Sequence, residues 1–277
     1  MRNMMFTRCR RLAAVGLLSI VSVSASAVPV DLTTWSELTL NFPGAQGEGN
    51  WVLQPGNVEV RQTINADPSF YRNNLNQTQY SMDGNWLVQS GTGDDDYMGF
   101  AFGMENSSNF YLFDWKAGSQ GSGSQFAAEG MTIKRFTGAT GDGLTDLSIG
   151  EFWENEENFG DMTVLDTHHG STAGWAANVL YNFHLDFNLN PGEIHVVVKE
   201  GVNTLWDTLV HDTTFAGGEF AFFNNSQGSV RYSGFEQVGG VPVVDGPPTA
   251  VPEPGTLALL LSGLGFFGAR TLRRRLV

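Results

Sequence analysis

Three consecutive carboxylates, Asp94-Asp95-Asp96, are the densest set of hard-metal ligands in the chain. Calcium takes roughly six to eight oxygens from carboxylates, carbonyls and water, so this triplet is the first candidate site. On an extended chain Asp94 and Asp96 share one face while Asp95 points to the other. One ion would then take two of the side chains, and the third would serve a second ion or a backbone contact. Glu151 and Glu156 invite comparison with glycoside hydrolases, which work with two carboxylates about 5–5.5 Å apart for retention. The Glu-x-Asp-x-x-Glu spacing would need Asp where this chain has Trp153, and the segment shows no strand alternation, so a solvated acidic loop is expected there. His168-His169 are zinc-type ligands, but neighbours on an extended chain point apart and Asp166 alone is a weak third donor. They are expected in a loop. Asp142-Gly143 with Asp146 reads as a turn, and Gly118 to Gly123 as a flexible loop. No nucleophile-elbow serine and no phosphate-cradling glycine loop before a helix is present.

The elements that must hold these residues are strands. Val179, Tyr181, Phe183, Leu185, Phe187 and Leu189 alternate with a mostly polar set, the period-two pattern of a sheet with one wet face. Met98, Phe100, Phe102 and Met104 alternate with Tyr97, Gly99, Ala101 and Gly103. Ile194, Val196 and Val198 follow the turn Asn190-Pro191-Gly192, and Phe220, Phe222, Val230 and Tyr232 suggest a closing pair. Charged residues make up 16% of the 277 and glycine contributes 34, which excludes coiled coils and long surface helices. With 41% apolar residues the chain has the material for a core, which excludes disorder. An all-β antiparallel jelly-roll sandwich is expected, ending near Gln237.

Charge separates this middle from both ends. Val28 to Ala250 holds 7 of the 15 basic and 28 of the 29 acidic residues, a formal charge of −21. A surface so acidic is incompatible with nucleic acid as a partner. The first 27 residues run from a basic stretch through Leu12 to Val23 to Ala25-Ser26-Ala27, the three-part pattern of a secretory signal peptide. Cleavage after Ala27 would remove Cys9, the only cysteine, and with it all thiol chemistry. Residues 238–250 are proline-rich and read as a semi-rigid linker. Residues 251–277 combine Val251-Pro252-Glu253-Pro254, the uncharged run Gly255 to Ala269 and an arginine cluster. That run spans roughly 22 Å as a helix, a short membrane anchor, and the arginines after it keep the acidic middle outside.

The tail, with its Pro252-Glu253-Pro254 triplet, resembles the PEP-CTERM sorting signal of Gram-negative bacteria. That resemblance implies an exosortase and the secretion machinery as partners, a transient membrane stage through the C-terminal helix, and delivery to the outer envelope, cell surface or extracellular matrix. Asp94 to Lys116 resembles the C-terminal lectin-like domain of thrombospondins, as do Asn50 to Gln54, Arg61 to Pro68, Gly174-Trp175, Ile194 to Gly201 and Phe215 to Gln227, in that family's order. This resemblance implies a sandwich related to legume-type lectins, calcium as cofactor on Asp94, Asp95 and Asp96, and a non-catalytic adhesion or matrix role with a glycan or another surface protein as partner. The alternatives are a polysaccharide-active enzyme on the same fold and a structural matrix component. Seven tryptophans leave sugar stacking open, since exposure cannot be read from the sequence.

Overall fold

The computed structural model describes residues 28–243 except Thr92. The expected signal peptide, the sorting tail and most of the linker lie outside the described residues. The described strands are β1 (Val28–Pro29), β2 (Ser36–Thr39), β3 (Trp51–Leu53), β4 (Glu59–Gln62), β5 (Ser69–Arg72), β6 (Gln77–Val88), β7 (Tyr97–Asn106), β8 (Asn109–Lys116), β9 (Gln120–Ser122), β10 (Gln125–Ala127), β11 (Gly130–Thr137), β12 (Met162–His169), β13 (Tyr181–Phe187), β14 (Glu193–Glu200), β15 (Asn203–His211), β16 (Glu219–Asn225) and β17 (Val230–Pro242). Between β11 and β12 lie two short helices, α1 (Gly143–Asp146) and α2 (Ile149–Trp153).

Two antiparallel sheets face each other. The first runs β15-β14-β13-β6-β17-β4-β3, with β1 added on β17, and the second runs β12-β11-β8-β7-β16-β5-β2. The all-β antiparallel sandwich expected from the alternation is therefore present. Its interior is largely aromatic: Trp86 of the first sheet stacks on its neighbour Phe183 at 4.9 Å and on Phe113 of the second sheet at 5.6 Å, while Phe100 stacks on Phe183 at 4.7 Å. Offset stacking of this kind adds about 0.5–1.5 kcal/mol per pair beyond simple burial.

β13 alternates buried and half-buried along its whole length, as its sequence requires. β7 does not follow the expected pattern, because its first eight residues are buried on both faces. The segment between β11 and β12 folds over the outer face of the second sheet. There Phe152 and Trp153 of α2 join Phe42, Phe70, Phe110, Phe136 and Phe223 in a second core. Met104 changes side as well: the ladder shifts register between Phe102 and Asn106, with Gly103 at φ +55°, and Met104 joins the outer core rather than the inner one. A side chain at Gly103 would meet the Phe187 ring at 2.9 Å.

Three local expectations change. Gly118 to Gly123 is not a free loop, since Gln120–Ser122 pairs with Gln125–Ala127. His168 and His169 close strand β12 opposite Met131 and Gly130. The last strand also continues past Gln237, pairing Val241 and Pro242 with Thr78 and Gln77, so the sheet takes in the start of the proline-rich stretch. Proline is tolerated there because it stands at the strand's end. No helix among the described residues is long and apolar enough to cross a membrane.

Asp212, just after β15, fastens the two sheets at one end. It accepts from the Tyr111 hydroxyl at 2.7 Å and the Thr214 amide at 2.8 Å, and pairs with Arg135. Burial alone would raise this carboxyl, but the bonds from Thr214 and Tyr111 and the charge of Arg135 hold it below the usual carboxylate range. A depressed folded pKa contributes stability above the unfolded value and loses it as pH falls through the folded one. Asp212→Asn is expected to cost about 1.5–3 kcal/mol at neutral pH, the range for hydrogen bonds to a charged group. The difference from the parent should begin to narrow near the unfolded carboxylate value of about 4 and close only as pH falls through the lower folded value; denaturant melts at neutral pH and down that acid range check it.

Candidate functional site

Asp94, Asp95 and Asp96 immediately precede β7, and one oxygen of each lies within 4.8 Å of the others. Their environments differ. Asp94 is half-buried and bonded to the Asn65 amide; Asp95 is exposed; Asp96 is 5% exposed. The backbone pins the last of these on both sides. The Asp96 amide donates to Gln227 Oε1 at 3.0 Å, and its carbonyl accepts from the Trp175 indole at 3.0 Å. Asp94 and Asp96 face a cleft of about 410 Å³, whereas Asp95 stands outside its lining.

Lys116, fully buried at the end of β8, balances part of this charge. Its ammonium lies 2.7 Å from Asp96 Oδ1 and 3.2 Å from Asp95 Oδ1, and 5.0 Å from the centre of the Trp153 ring. Burial first, and the neighbouring charge of Asp96 second, push Asp94 up to about 6. Asp94 thus sits half-buried beside the charge of Asp96, while Lys116 pairs with Asp95 and Asp96, and a bound cation would offset that charge.

The residue that sequence reasoning passed over is Asp67. It lines the same cleft and is 1% exposed. Its Oδ1 accepts from the Gln46 amide at 2.8 Å, while its Oδ2 is buried without a hydrogen-bond partner. An ionised carboxylate oxygen removed from water without a partner is costly, which makes a cation its natural complement. The buried Asn225 amide nitrogen on the same wall is also unpartnered. A signal was present in Asn65-Ala66-Asp67-Pro68, whose residue types favour a turn. That turn carries both Asp67 and the Asn65 that bonds Asp94. Asp67, Asp94 and Asp96 thus supply carboxylate oxygens around one cleft, a donor set that fits a hard divalent cation.

The other candidates resolve differently. Glu151 is buried, not solvated: it closes a capping box with Ser148 at 2.6 Å from that residue's amide, and its other oxygen accepts from Asp161 N at 2.6 Å. Glu156 is exposed, as expected for a solvated loop. His169 Nε2 meets the Thr132 hydroxyl at 2.9 Å while His168 stacks on Trp206, and Asp166 is bonded to Thr208. Asp142 caps α1, and Asp146 accepts from Thr140, Gly141 and Ser108, so both are turn-forming residues. All seven tryptophans are at most 9% exposed, which leaves no tryptophan face for sugar stacking.

Comparison with known proteins places residues 46–238 on the model of the thrombospondin C-terminal region, and residues 250–275 on that of the PEP-CTERM protein-sorting motif. The chain is 31% identical over 195 residues to thrombospondin-2 of Gallus gallus, covering 68% of this chain and 16% of that protein. It is 30% identical over 217 residues to thrombospondin-3b of Danio rerio, covering 76% of this chain and 23% of that one. The chain thus spans less than a quarter of the length of these relatives. Among solved structures, the exoplasmic/lumenal domain of VIP36 in a Ca2+/Man3GlcNAc-bound form superposes with a TM-score of 0.49 at 8% identity, over 78% of this chain and 87% of that one. The carbohydrate-binding module CBM66 from Bacillus subtilis gives 0.46 at 13% identity, over 74% and 95%.

Proposed function

The chain belongs to the thrombospondin C-terminal region family, and we propose that it is an exported, calcium-binding, non-catalytic adhesion or matrix module displayed at the bacterial surface. The observation that carries the calcium reading is the buried, unpartnered Oδ2 of Asp67 beside Asp94 and Asp96 on one cleft. Calcium would be held by these three carboxylates and would fix the loops that bear them. Those two loops come from distant parts of the chain, before β5 and before β7, so an ion between them would order a surface for a glycan or another surface protein. A catalytic reading of Glu151 loses its support here, because that residue is buried and both its oxygens accept from backbone amides.

The PEP-CTERM motif supports handling by an exosortase and delivery to the cell surface or extracellular polymer. The test uses the full chain in an exosortase-bearing Gram-negative host. Deleting residues 251–277 is expected to move the protein from the surface fraction to the medium or periplasm, and unchanged fractionation would contradict the sorting role. A calcium chelator is expected to release the intact chain's partner from the surface-bound protein, and Asp67→Asn should weaken that retention. Retention indifferent to both would refute calcium-dependent adhesion.

A further inference from the structure

The outer, wet face of the first sheet carries a second set of ligand-type side chains, far from calcium chemistry because two of its members are imidazoles. His184 and Asp186 lie two apart on β13 and therefore on one face, and Asp186 pairs directly with His195 on β14. His184 Nε2 is 3.1 Å from Asp186 Oδ1, and His195 Nδ1 is 3.5 Å from Asp186 Oδ2. One ligand atom from each of the three lies within 4.8 Å of the others. Tetrahedral zinc with bonds of about 2.0–2.1 Å needs neighbouring ligand atoms roughly 3.3 Å apart, and each imidazole stands close to that distance from an Asp186 oxygen.

We propose that His184, Asp186 and His195 form a binding site for a divalent transition metal of zinc's class. What distinguishes the cluster from an ordinary patch of charge is its second layer. The ring nitrogen of His184 turned away from Asp186, Nδ1, is 2.8 Å from Asp83 Oδ1 on β6. The corresponding nitrogen of His195, Nε2, is 2.8 Å from Asp207 Oδ1 on β15. Metal-bound imidazoles almost always donate their other N–H to a carboxylate or carbonyl, which fixes the tautomer and ring plane. Both histidines here have that arrangement, from strands on opposite sides. Asp186 is itself held by the Ser81 hydroxyl. The surplus of carboxylates neutralises a dication, and imidazole with one carboxylate selects zinc's class over calcium.

The site is accessible. Asp186 and His195 line a shallow cavity of about 280 Å³ with Glu193 and Asn190, rimmed by the half-exposed Leu189 and Leu209. Three protein ligands leave a fourth position open, for water or for a donor from a partner. The competing arrangement is a metal-free network in which protonated His184 bridges Asp83 and Asp186.

The test titrates zinc into the full chain in competition with a chromophoric chelator, with calcium saturating throughout so that the carboxylate cleft is occupied. One zinc per chain is expected, and cobalt should show the intense visible bands of a tetrahedral site. His195→Gln and Asp186→Asn should abolish both signals. Asp207→Asn, which leaves all three ligands in place, should weaken uptake roughly 10–100-fold. A His168→Gln, His169→Gln double variant should bind like the parent. No uptake by the parent, or uptake unaltered in both His195→Gln and Asp186→Asn, would overturn the proposal in favour of the proton-bridged network. The parent's stoichiometry and cobalt spectrum keep the test decisive should a variant fail to fold, and neither depends on the calcium reading.

Discussion

Lys134→Met is expected to destabilise the full chain by about 3–5 kcal/mol, the range for leaving one member of a buried ion pair without its partner. The chain has only three lysines, and Lys134 and Lys116 are both fully buried. Lys134 lies 2.7 Å from Asp114, which is equally buried, and 5.2 Å from the centre of the Tyr97 ring. Lys116 lies 5.6 Å from that same ring. Burial drives Asp114 up and Lys134 down, toward their neutral forms, and the close pairing opposes both shifts. Removing the lysine leaves a carboxylate that must take up a proton or remain charged in a dry core. The double variant Lys134→Met, Asp114→Leu removes both charges and should recover most of the loss, since well-packed apolar replacements of buried pairs are often neutral or stabilising. Denaturant melts of the parent, the single variant and the double variant decide it. A single variant within about 1 kcal/mol of the parent, on the scale of an exposed pair, would show that the pair contributes no more than a surface bridge.

How far the sequence disclosed this arrangement depends on how many layers cover each strand. β13 was legible because one face is wet and polarity marks it. β7 was misleading because α2 and its flanking loops cover its outer face, so Tyr97 and Ala101 are as buried as Phe100. Nothing in β7 itself records that cover. The register shift beside Gly103 then moves Met104 to the other side, a change that alternation cannot report. Glu151 was readable in principle, since Ser148-x-x-Glu151 is a capping-box spacing, but the surrounding acidic residues made it look solvated. Asp67 was beyond reach as a ligand: its significance rests on burial against Gln46 and on sharing a cleft with Asp94, both set by contacts distant in the chain. His184 and Asp186 are visible as outward neighbours on one strand, but His195 joins them only through the pairing of β13 with β14.

Calcium is expected to stabilise the full chain by about 2.7 kcal/mol at a hundredfold excess over its dissociation constant, as for any ligand bound only by the folded state. Extracellular modules often hold calcium at roughly 10⁻⁴–10⁻³ M, so millimolar concentrations should be needed to reveal the shift. Two effects have to be separated. A domain with a formal charge of −21 between Val28 and Ala250 is also stabilised by screening, which any salt supplies. A site built from Asp67, Asp94 and Asp96 discriminates calcium from sodium at matched ionic strength, whereas screening does not. The variants separate the roles further. Asp67→Asn keeps the shape and the bond to Gln46 but removes the charge on the unpartnered oxygen. Without calcium it should therefore equal or exceed the parent in stability, and with calcium it should gain much less. Asp96→Asn leaves buried Lys116 short of its nearest counter-ion, so it should lose stability without calcium and also lose the calcium response. Opposite signs without calcium, combined with a shared loss of response, are not produced by general weakening of the fold. The measurement is the melting midpoint of parent and variants in chelator, in calcium and in sodium chloride of equal ionic strength. Equal shifts from the two salts, or a parent-like calcium response in both variants, would remove these carboxylates from the site.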